Sequence, residues 1–242
     1  MEVWGMTDVG NVREQNQDYY LTLPLPNALA AVLCDGMGGA KSGNIASKLA
    51  AQVFLEEIRR SYRETLEPKM VNFMLETAVG LANAAVYENS LLSDDMNGMG
   101  TTLVGVLLHD KTLYTVNVGD SRAYLLNKSE VRQITRDHSL VEFMIQRGEL
   151  TPEEAKSFPA KNVITRAVGT ERYVRADIFR QPLFAGDNIL LCSDGLSNLV
   201  EDQELLFEVV HGVKKRDCCS RLVQIAKSRG APDNVTVLLI SL

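Results

Sequence analysis

Four times in this 242-residue chain, an apolar, strand-like run meets an Asp beside a Gly or an Asn. Ala31 to Cys34 runs into Asp35-Gly36, Val116 to Gly119 into Asp120, and Leu190 to Ser193 into Asp194-Gly195. In the reverse sense, Asp233-Asn234 leads into Val235 to Leu238. One Asp at a strand end is an ordinary turn residue. Four are a different matter, because sheet packing can bring strand ends to one edge. Two carboxylates about 4 Å apart repel by about 4 kcal/mol at an effective dielectric of about 20, so a cluster of them calls for positive charge. An all-oxygen ligand set without His or Cys selects a hard cation, Mg²⁺ or Mn²⁺, over zinc. Spacing alone leaves open whether the four converge.

Other chemistry is poorly provided for. The cysteines, Cys34, Cys192, Cys218 and Cys219, form no C-x-x-C pair, which argues against a zinc ribbon or a thioredoxin-like site. Cys34 and Cys192 sit in apolar runs and read as small buried hydrophobes. At Cys218-Cys219, only Lys and Arg neighbours could lower a thiol pKa. His109, His138 and His211 lack the spacing of a multi-histidine zinc site. Gly36 to Ser42 follows a strand and opens a helix, as a phosphate-cradling P-loop does. That motif, however, needs glycines where Ala40 and Asp35 stand. Gly119-Asp-Ser-Arg122 offers a serine with no evident base, and reads better as a polar turn.

Hydrophobic residues make up 45% and charged residues 23%, the mix of a soluble globular chain able to bury a core without disulfides. Twenty-five basic against 31 acidic residues give a net charge of −6. Non-specific nucleic-acid binding needs the opposite balance. The longest apolar stretch, Ala28 to Cys34, is too short to span a bilayer. The N-terminus lacks the basic and apolar regions of a secretory signal. A cytoplasmic monomer, with no membrane or nucleic-acid partner, is the expectation.

The elements that would position the carboxylates follow from periodicity. Strands are expected at Glu2–Asp8, Asp18–Leu23 and Leu29–Asp35. A helix over Ser42–Tyr62 would bury Ile45, Leu49, Val53, Phe54 and Ile58, and a second over Pro68–Leu92 would use Met70, Met74, Leu81 and Ala85. Thr101–Leu108, Thr112–Val118, Arg122–Leu126 and Glu130–Ile134 read as an antiparallel meander. Ser139–Lys156 reads as a helix–turn–helix. Strands at Asp177–Phe179 and Asn188–Ser193, helices at Glu201–His211 and Arg216–Arg229, and a final strand from Val235 to Leu242 complete the chain. With no linker or repeat, one domain over residues 1–242 is expected. Grouped strands and paired helices make the fold class α+β.

The motifs also carry a resemblance. Thr7-Asp-Val-Gly-Asn-Val-Arg13-Glu-Gln-Asn-Gln-Asp18 resembles the first motif of metal-dependent Ser/Thr protein phosphatases of type 2C, the PPM family. Asp35-Gly-Met-Gly-Gly39 resembles the second. Met99–Thr102, Val118–Arg122, Thr135–Ser139, Cys192–Gly195 and Pro232–Thr236 follow in the family's order. The likeness runs from about residue 6 to the C-terminus, and seven ordered motifs make it specific, with bacterial members the nearest in character. It implies a central β-sandwich of two antiparallel sheets flanked by helix pairs on both sides, with a flap subdomain over about 138–172.

It also implies roles. Asp35 would bridge two metal ions, with the Gly36 carbonyl a further ligand. Asp194 and Asp233 would hold the second ion, and Asp18 would act through bound water. Asp120, with Asp194, would form a third metal position. Arg13 would grip the substrate phosphate. The implied reaction is hydrolysis of phosphoserine or phosphothreonine in proteins by a metal-bridged water, using Mg²⁺ or Mn²⁺ and no covalent phosphoenzyme. Its partners would be phosphoproteins made by a Ser/Thr kinase, or the kinase itself. A binding module of the same fold without activity, and a phosphatase of small esters, are the rival readings.

Four departures bear on this. Gln17 stands where many relatives have Glu, removing a negative charge. Met37 replaces a His of animal relatives, which leaves leaving-group protonation to metal-bound water. Ala40 and Lys41 alter the loop after Gly39. Phe158 precedes Pro159 where His is usual.

Overall fold

A computed structural model describes residues 1–38 and 42–242. Gly39, Ala40 and Lys41, the end of the second motif and two of its departures, lie outside the described residues. In chain order the first strands are β1 (Glu2–Asp8), β2 (Asp18–Leu25) and β3 (Ala28–Met37). The helices α1 (Ser42–Ser61) and α2 (Pro68–Ser90) follow. Next come β4 (Gly100–Thr101), β5 (Leu103–His109), β6 (Thr112–Val118), β7 (Arg122–Leu126) and β8 (Val131–Gln133). The short helices α3 (Leu140–Gln146) and α4 (Pro152–Lys156) precede β9 (Asp177–Pro182) and β10 (Asn188–Cys192). The chain ends with α5 (Asp194–Ser197), α6 (Asp202–Leu206), α7 (Cys218–Ser228) and β11 (Val235–Ser241).

These strands form two antiparallel sheets. One has the order β2-β3-β5-β6-β9, with β4 on the end of β3; the other has β1-β11-β10-β7-β8. Leu33, Val106, Leu113, Leu191 and Ile240 pack between the sheets. Outside the first sheet, Ala46, Ala50, Phe54 and Ile58 of α1 and Val71, Leu75, Ala78 and Val86 of α2 join a second core. Outside the second, Leu205, Leu222, Val223 and Ala226 of α6 and α7 close a third. The central strands are therefore covered on both faces. That is why β3, β5, β10 and β11 are nearly continuous apolar runs rather than alternating ones. The expected sandwich with helices on both sides is the observed architecture.

Several expectations need correction. The four strands after residue 100 are no meander. β5 and β6 pair through a hairpin whose Asp110 and Lys111 both have positive φ (46° and 54°). The chain then crosses at Gly119–Ser121 into the other sheet, where β7 pairs with β8 and β10. The buried face of α1 is carried by alanines at 46, 50 and 51 with Phe54 and Ile58, while Ile45 is largely exposed. In α2, Met70 and Leu81 face outward, and Val71, Leu75, Ala78 and Ala82 face in. The expected helix over 201–211 is α6 followed by a wider π turn at Phe207–His211; the one over 216–229 begins with a 3₁₀ turn at Lys215–Asp217. The short α5, straight after β10, has no counterpart in the sequence reading. Cys218 and Cys219 are buried, with thiol pKa values pushed up to about 12 and about 11 by burial. They are inert hydrophobes, not reactive thiols.

Residues 138–172 lie beside the strand ends that carry the acidic motifs. Ser139 bridges to Ile164, and Thr101 to Val168. α4 is started by a capping box in which Thr151 and Glu154 satisfy each other's backbone N–H groups.

Packing at the α1–sheet contact is tight. A Cβ on Gly105 would lie 2.8 Å from the Phe54 ring. Phe54→Ala is expected to lower stability by about 3–5 kcal/mol and Gly105→Ala by about 1–3 kcal/mol. In the Phe54→Ala background the Gly105→Ala penalty should shrink, because the opposing ring is gone. Urea midpoints of the four proteins check this.

Candidate metal centre

The acidic residues picked out in the sequence meet at one end of the sandwich. β2 and β3 bring Asp18 and Asp35 opposite each other in register. Asp194 follows β10 as the first residue of α5, Asp120 sits in the turn between the sheets, and Asp233 lies just before β11. Their fields overlap. The Asp35 carboxyl is pushed well above the usual range by burial first, then by Asp18, Asp194, Asp120 and Asp233. Burial and Asp194 raise Asp18 to about 6, against its hydroxyl donors, and burial, Asp194 and Asp137 raise Asp120 to about 7. Asp194 is raised by burial and by Asp233. All five expected carboxylates thus belong to one cluster.

The surrounding backbone and hydroxyls hold this cluster in place. Asp18 Oδ2 accepts hydrogen bonds from Ser193 Oγ (2.7 Å) and Thr236 Oγ1 (2.6 Å), both from the other sheet. Its Oδ1 is buried without a hydrogen-bond partner. The Asp35 N–H donates to Thr102 Oγ1 (2.9 Å), while Thr101 Oγ1 and the Thr102 N–H donate to its carbonyl (2.8 Å each). Gly36 passes so close to α1 that a Cβ there would lie 2.1 Å from the Gly43 carbonyl oxygen. Asn198 Nδ2 donates to Asp194 Oδ2 at 3.1 Å.

Arg13 is carried by the loop after β1. Asn234 ties that loop down by donating to the Val9 and Gln15 carbonyls and accepting the Gln17 N–H. The guanidinium donates twice to Asp233, Nε to Oδ1 at 2.9 Å and Nη2 to Oδ2 at 2.8 Å. Asp233, and more weakly Asp35 and Asp194, raise its already high pKa. A permanently charged, half-exposed fork therefore stands at the rim of the acidic cluster.

The donor set fits hard divalent cations. Among the described residues it offers five carboxylates, one of them with a buried oxygen that lacks a partner, and no thiolate or imidazole. Among the described residues, no three acidic, His or Cys side chains already stand round one point as a closed cage. Burial and mutual repulsion instead push the pKa values of Asp18, Asp35 and Asp194 upward, toward the neutral form.

The sequence reading missed Ser193 and Thr236 as supports of Asp18, and Asn234 as the tie of the Arg13 loop. All three lie inside motifs quoted above, but only sheet register shows what they hold.

The sequence model of the family described as protein phosphatase 2C matches residues 11–225 of the chain. The chain belongs to the protein phosphatase 2C family. It is 35% identical over 235 residues to the serine/threonine phosphatase stp of Listeria monocytogenes, covering 97% of this chain and 93% of that protein. The structure of the S. agalactiae serine/threonine phosphatase superposes with a TM-score of 0.92 at 32% identity, covering 100% of this chain and 99% of that one. The catalytic domain of the serine/threonine protein phosphatase PstP, in complex with two manganese ions, superposes with a TM-score of 0.82 at 34% identity, covering 98% and 96%. This member of the 2C family keeps its buried acidic cluster with Gln17, not Glu, one residue before Asp18.

The raised carboxyl pKa values have a direct consequence. A folded-state pKa above the unfolded value stabilises at low pH, and that contribution is lost as the pH rises through the folded pKa. With Asp18 near 6 and Asp120 near 7, the metal-free protein should lose stability between about pH 4 and pH 7. At pH 8, Asp35→Asn should raise metal-free stability, whereas millimolar Mn²⁺ should stabilise the parent far more than this variant. Thermal melts with EDTA and with Mn²⁺, taken across pH, check both.

Proposed function

We propose that the chain is a protein serine/threonine phosphatase, one domain over residues 1–242 with a flap at about 138–172. In this reading it hydrolyses phosphoserine and phosphothreonine in proteins with Mg²⁺ or Mn²⁺. The observation that carries the reading is the cluster of five buried and half-buried carboxylates with Arg13 at its rim. Asp35, the Gly36 carbonyl, Asp194 and Asp233 would hold two ions, Asp18 would act through water, and Asp120 with Asp194 would hold a third. Bound divalent cations supply the positive charge that lets a water oxygen attack phosphorus near neutral pH.

The chain's own residues do the rest. Arg13 turns its planar fork from Asp233 to two phosphate oxygens and orients the ester for in-line attack. Burial holds the Cys34 and Cys192 thiols protonated, and Ser193 is committed to Asp18, so none of the three serves as nucleophile. In keeping with the family resemblance, the proposed route proceeds without a covalent phosphoenzyme. Met37 brings no exchangeable proton to the leaving oxygen, so that proton comes from water. Ser193 and Thr236 keep Asp18 in place throughout.

The partners fitting this chemistry are phosphoproteins, including those made by a Ser/Thr kinase and the kinase itself. Among the described residues no helix is long and apolar enough to cross a membrane. We place the protein in the cytoplasm as a monomer.

The deciding measurement is dephosphorylation of a phosphothreonine peptide by the purified protein in EDTA and after restoring Mn²⁺ or Mg²⁺. Activity should need the metal and fall in Asp194→Asn by more than the roughly 10–100-fold that loss of an outer hydrogen-bond partner costs. A folded protein inactive with every metal, or one whose Asp194→Asn variant is fully active, would sink the reading. A strong preference for small esters over peptides would move it to small-molecule phosphate chemistry. Arg13→Ala should lower kcat/KM about 10–100-fold, through loss of charge-assisted hydrogen bonds worth about 1.5–3 kcal/mol, and Arg13→Lys should recover part of this.

A further inference from the structure

His138 takes no part in the mechanism above, yet it sits at the junction of the flap segment, β9 and the turn that carries Asp120. The ring is 8% exposed. It grips Gly119 twice: the His138 N–H donates to the Gly119 carbonyl (2.9 Å), and the Gly119 N–H donates to His138 Nδ1 (3.0 Å). The second bond fixes the tautomer. Nδ1 must be an acceptor, so the ring is neutral with its proton on Nε2. Nε2 lies 3.2 Å from Asp177 Oδ2 on β9 and donates to it. Arg166 Nη1 donates to Asp177 Oδ1 at 3.0 Å and also lies 3.0 Å from His138 Nε2; with Nε2 protonated these are two donors brought together by the same carboxylate, not a hydrogen bond. The His138 carbonyl accepts from the Thr165 N–H at 2.7 Å.

The gripped turn connects to the acidic cluster on its other side. Gly119 has φ +108°, and a Cβ there would press to 2.6 Å from the Thr102 side chain. Two residues on, Ser121 Oγ shares a hydrogen bond with Thr102 Oγ1 (2.7 Å), which in turn accepts the Asp35 N–H (2.9 Å). Asn117 Nδ2 donates to the Gly119 carbonyl as well (3.1 Å). Hydrogen bonds therefore tie the flap segment through His138 to Gly119; from there the backbone of the turn itself leads to Asp120, and through Ser121 and its bond to Thr102 to the Asp35 N–H.

We infer that His138 is a positioning residue that sets the Asp120 turn, and with it the affinity of the third metal position, by accepting the Gly119 N–H on Nδ1. The inference rests on the metal assignment of Asp120 proposed above. The two halves of the ring can be separated. In His138→Asn, Oδ1 stands where Nδ1 stood and can accept the Gly119 N–H, while the link to Asp177 is lost. In His138→Gln, the reach to Asp177 is kept and the acceptor toward Gly119 is lost.

Two readouts test this. The first is amide hydrogen exchange at Gly119 in metal-free protein, which requires no activity. The second is the Mn²⁺ concentration giving half-maximal hydrolysis of a phosphothreonine peptide. His138→Ala and His138→Gln should speed Gly119 exchange and raise the half-activating Mn²⁺ about 10–100-fold, while His138→Asn stays close to the parent in both. Unchanged Gly119 exchange in the Gln variant overturns the inference. So does faster exchange with unaltered Mn²⁺ dependence, or an equal loss in all three variants, which would mark a purely structural histidine. If the parent hydrolyses no phosphopeptide, the phosphatase reading fails, and with it the metal half of this inference. The clamp on Gly119 still stands or falls on the exchange data.

Discussion

The structure is organised around carboxylates that repel one another in a place where water cannot screen them. Asp18 and Asp35 are fixed opposite each other by the β2–β3 register, and Asp194 joins them from the other sheet. Left alone, such a group would push the strand ends apart. It is held by donors that the sandwich itself supplies. Ser193 and Thr236, on the second sheet, both donate to Asp18 on the first, so one carboxylate oxygen joins the two layers. Within the first sheet, Thr101 Oγ1 donates to the Asp35 carbonyl and Thr102 Oγ1 accepts the Asp35 N–H, which fixes the backbone there. The fold holds these oxygens in place against their electrostatic preference, as a site built for a ligand of opposite charge must.

This constraint also explains what the sequence could and could not reveal. β3, β5, β10 and β11 were legible because a strand covered on both faces must be an uninterrupted apolar run, and each run met a marked turn at one end. The helix faces were harder. α1 approaches the sheet, and α2 approaches α1, largely through alanines, so the large residues Ile45, Met70 and Leu81, which dominate a periodicity count, sit on the outer side. The crossing at Gly119–Ser121 resembled a hairpin turn, since nothing local tells whether the next strand pairs within its own sheet or in the one facing it.

The site divides along the same line. The five candidate carboxylates could be read from the strand ends and the ordered motifs, and all five do gather. Their supports could not be read so directly. Ser193, Thr236 and Asn234 are ordinary polar residues until sheet register sets them against Asp18 and the Arg13 loop. His138 likewise reads as a lone histidine in a polar stretch, and its role depends on Gly119, 19 residues earlier, being folded against it.

The Arg13–Asp233 pair shows how one arrangement can serve two tasks. Its two hydrogen bonds have good geometry, but the side chains are 57% and 38% exposed. An ion pair at that exposure stabilises by only about 0–1 kcal/mol. Buried partners such as Arg122 and Asp137 are held far more firmly, through three hydrogen bonds. Arg13 is thus kept oriented at the rim without being committed there. A cation drawing on Asp233 and a phosphate drawing on the guanidinium would each weaken the same shallow contact, and each would make the other's partner more available. Ion and substrate are then coupled through a pair of side chains whose own bond is weak enough to give way.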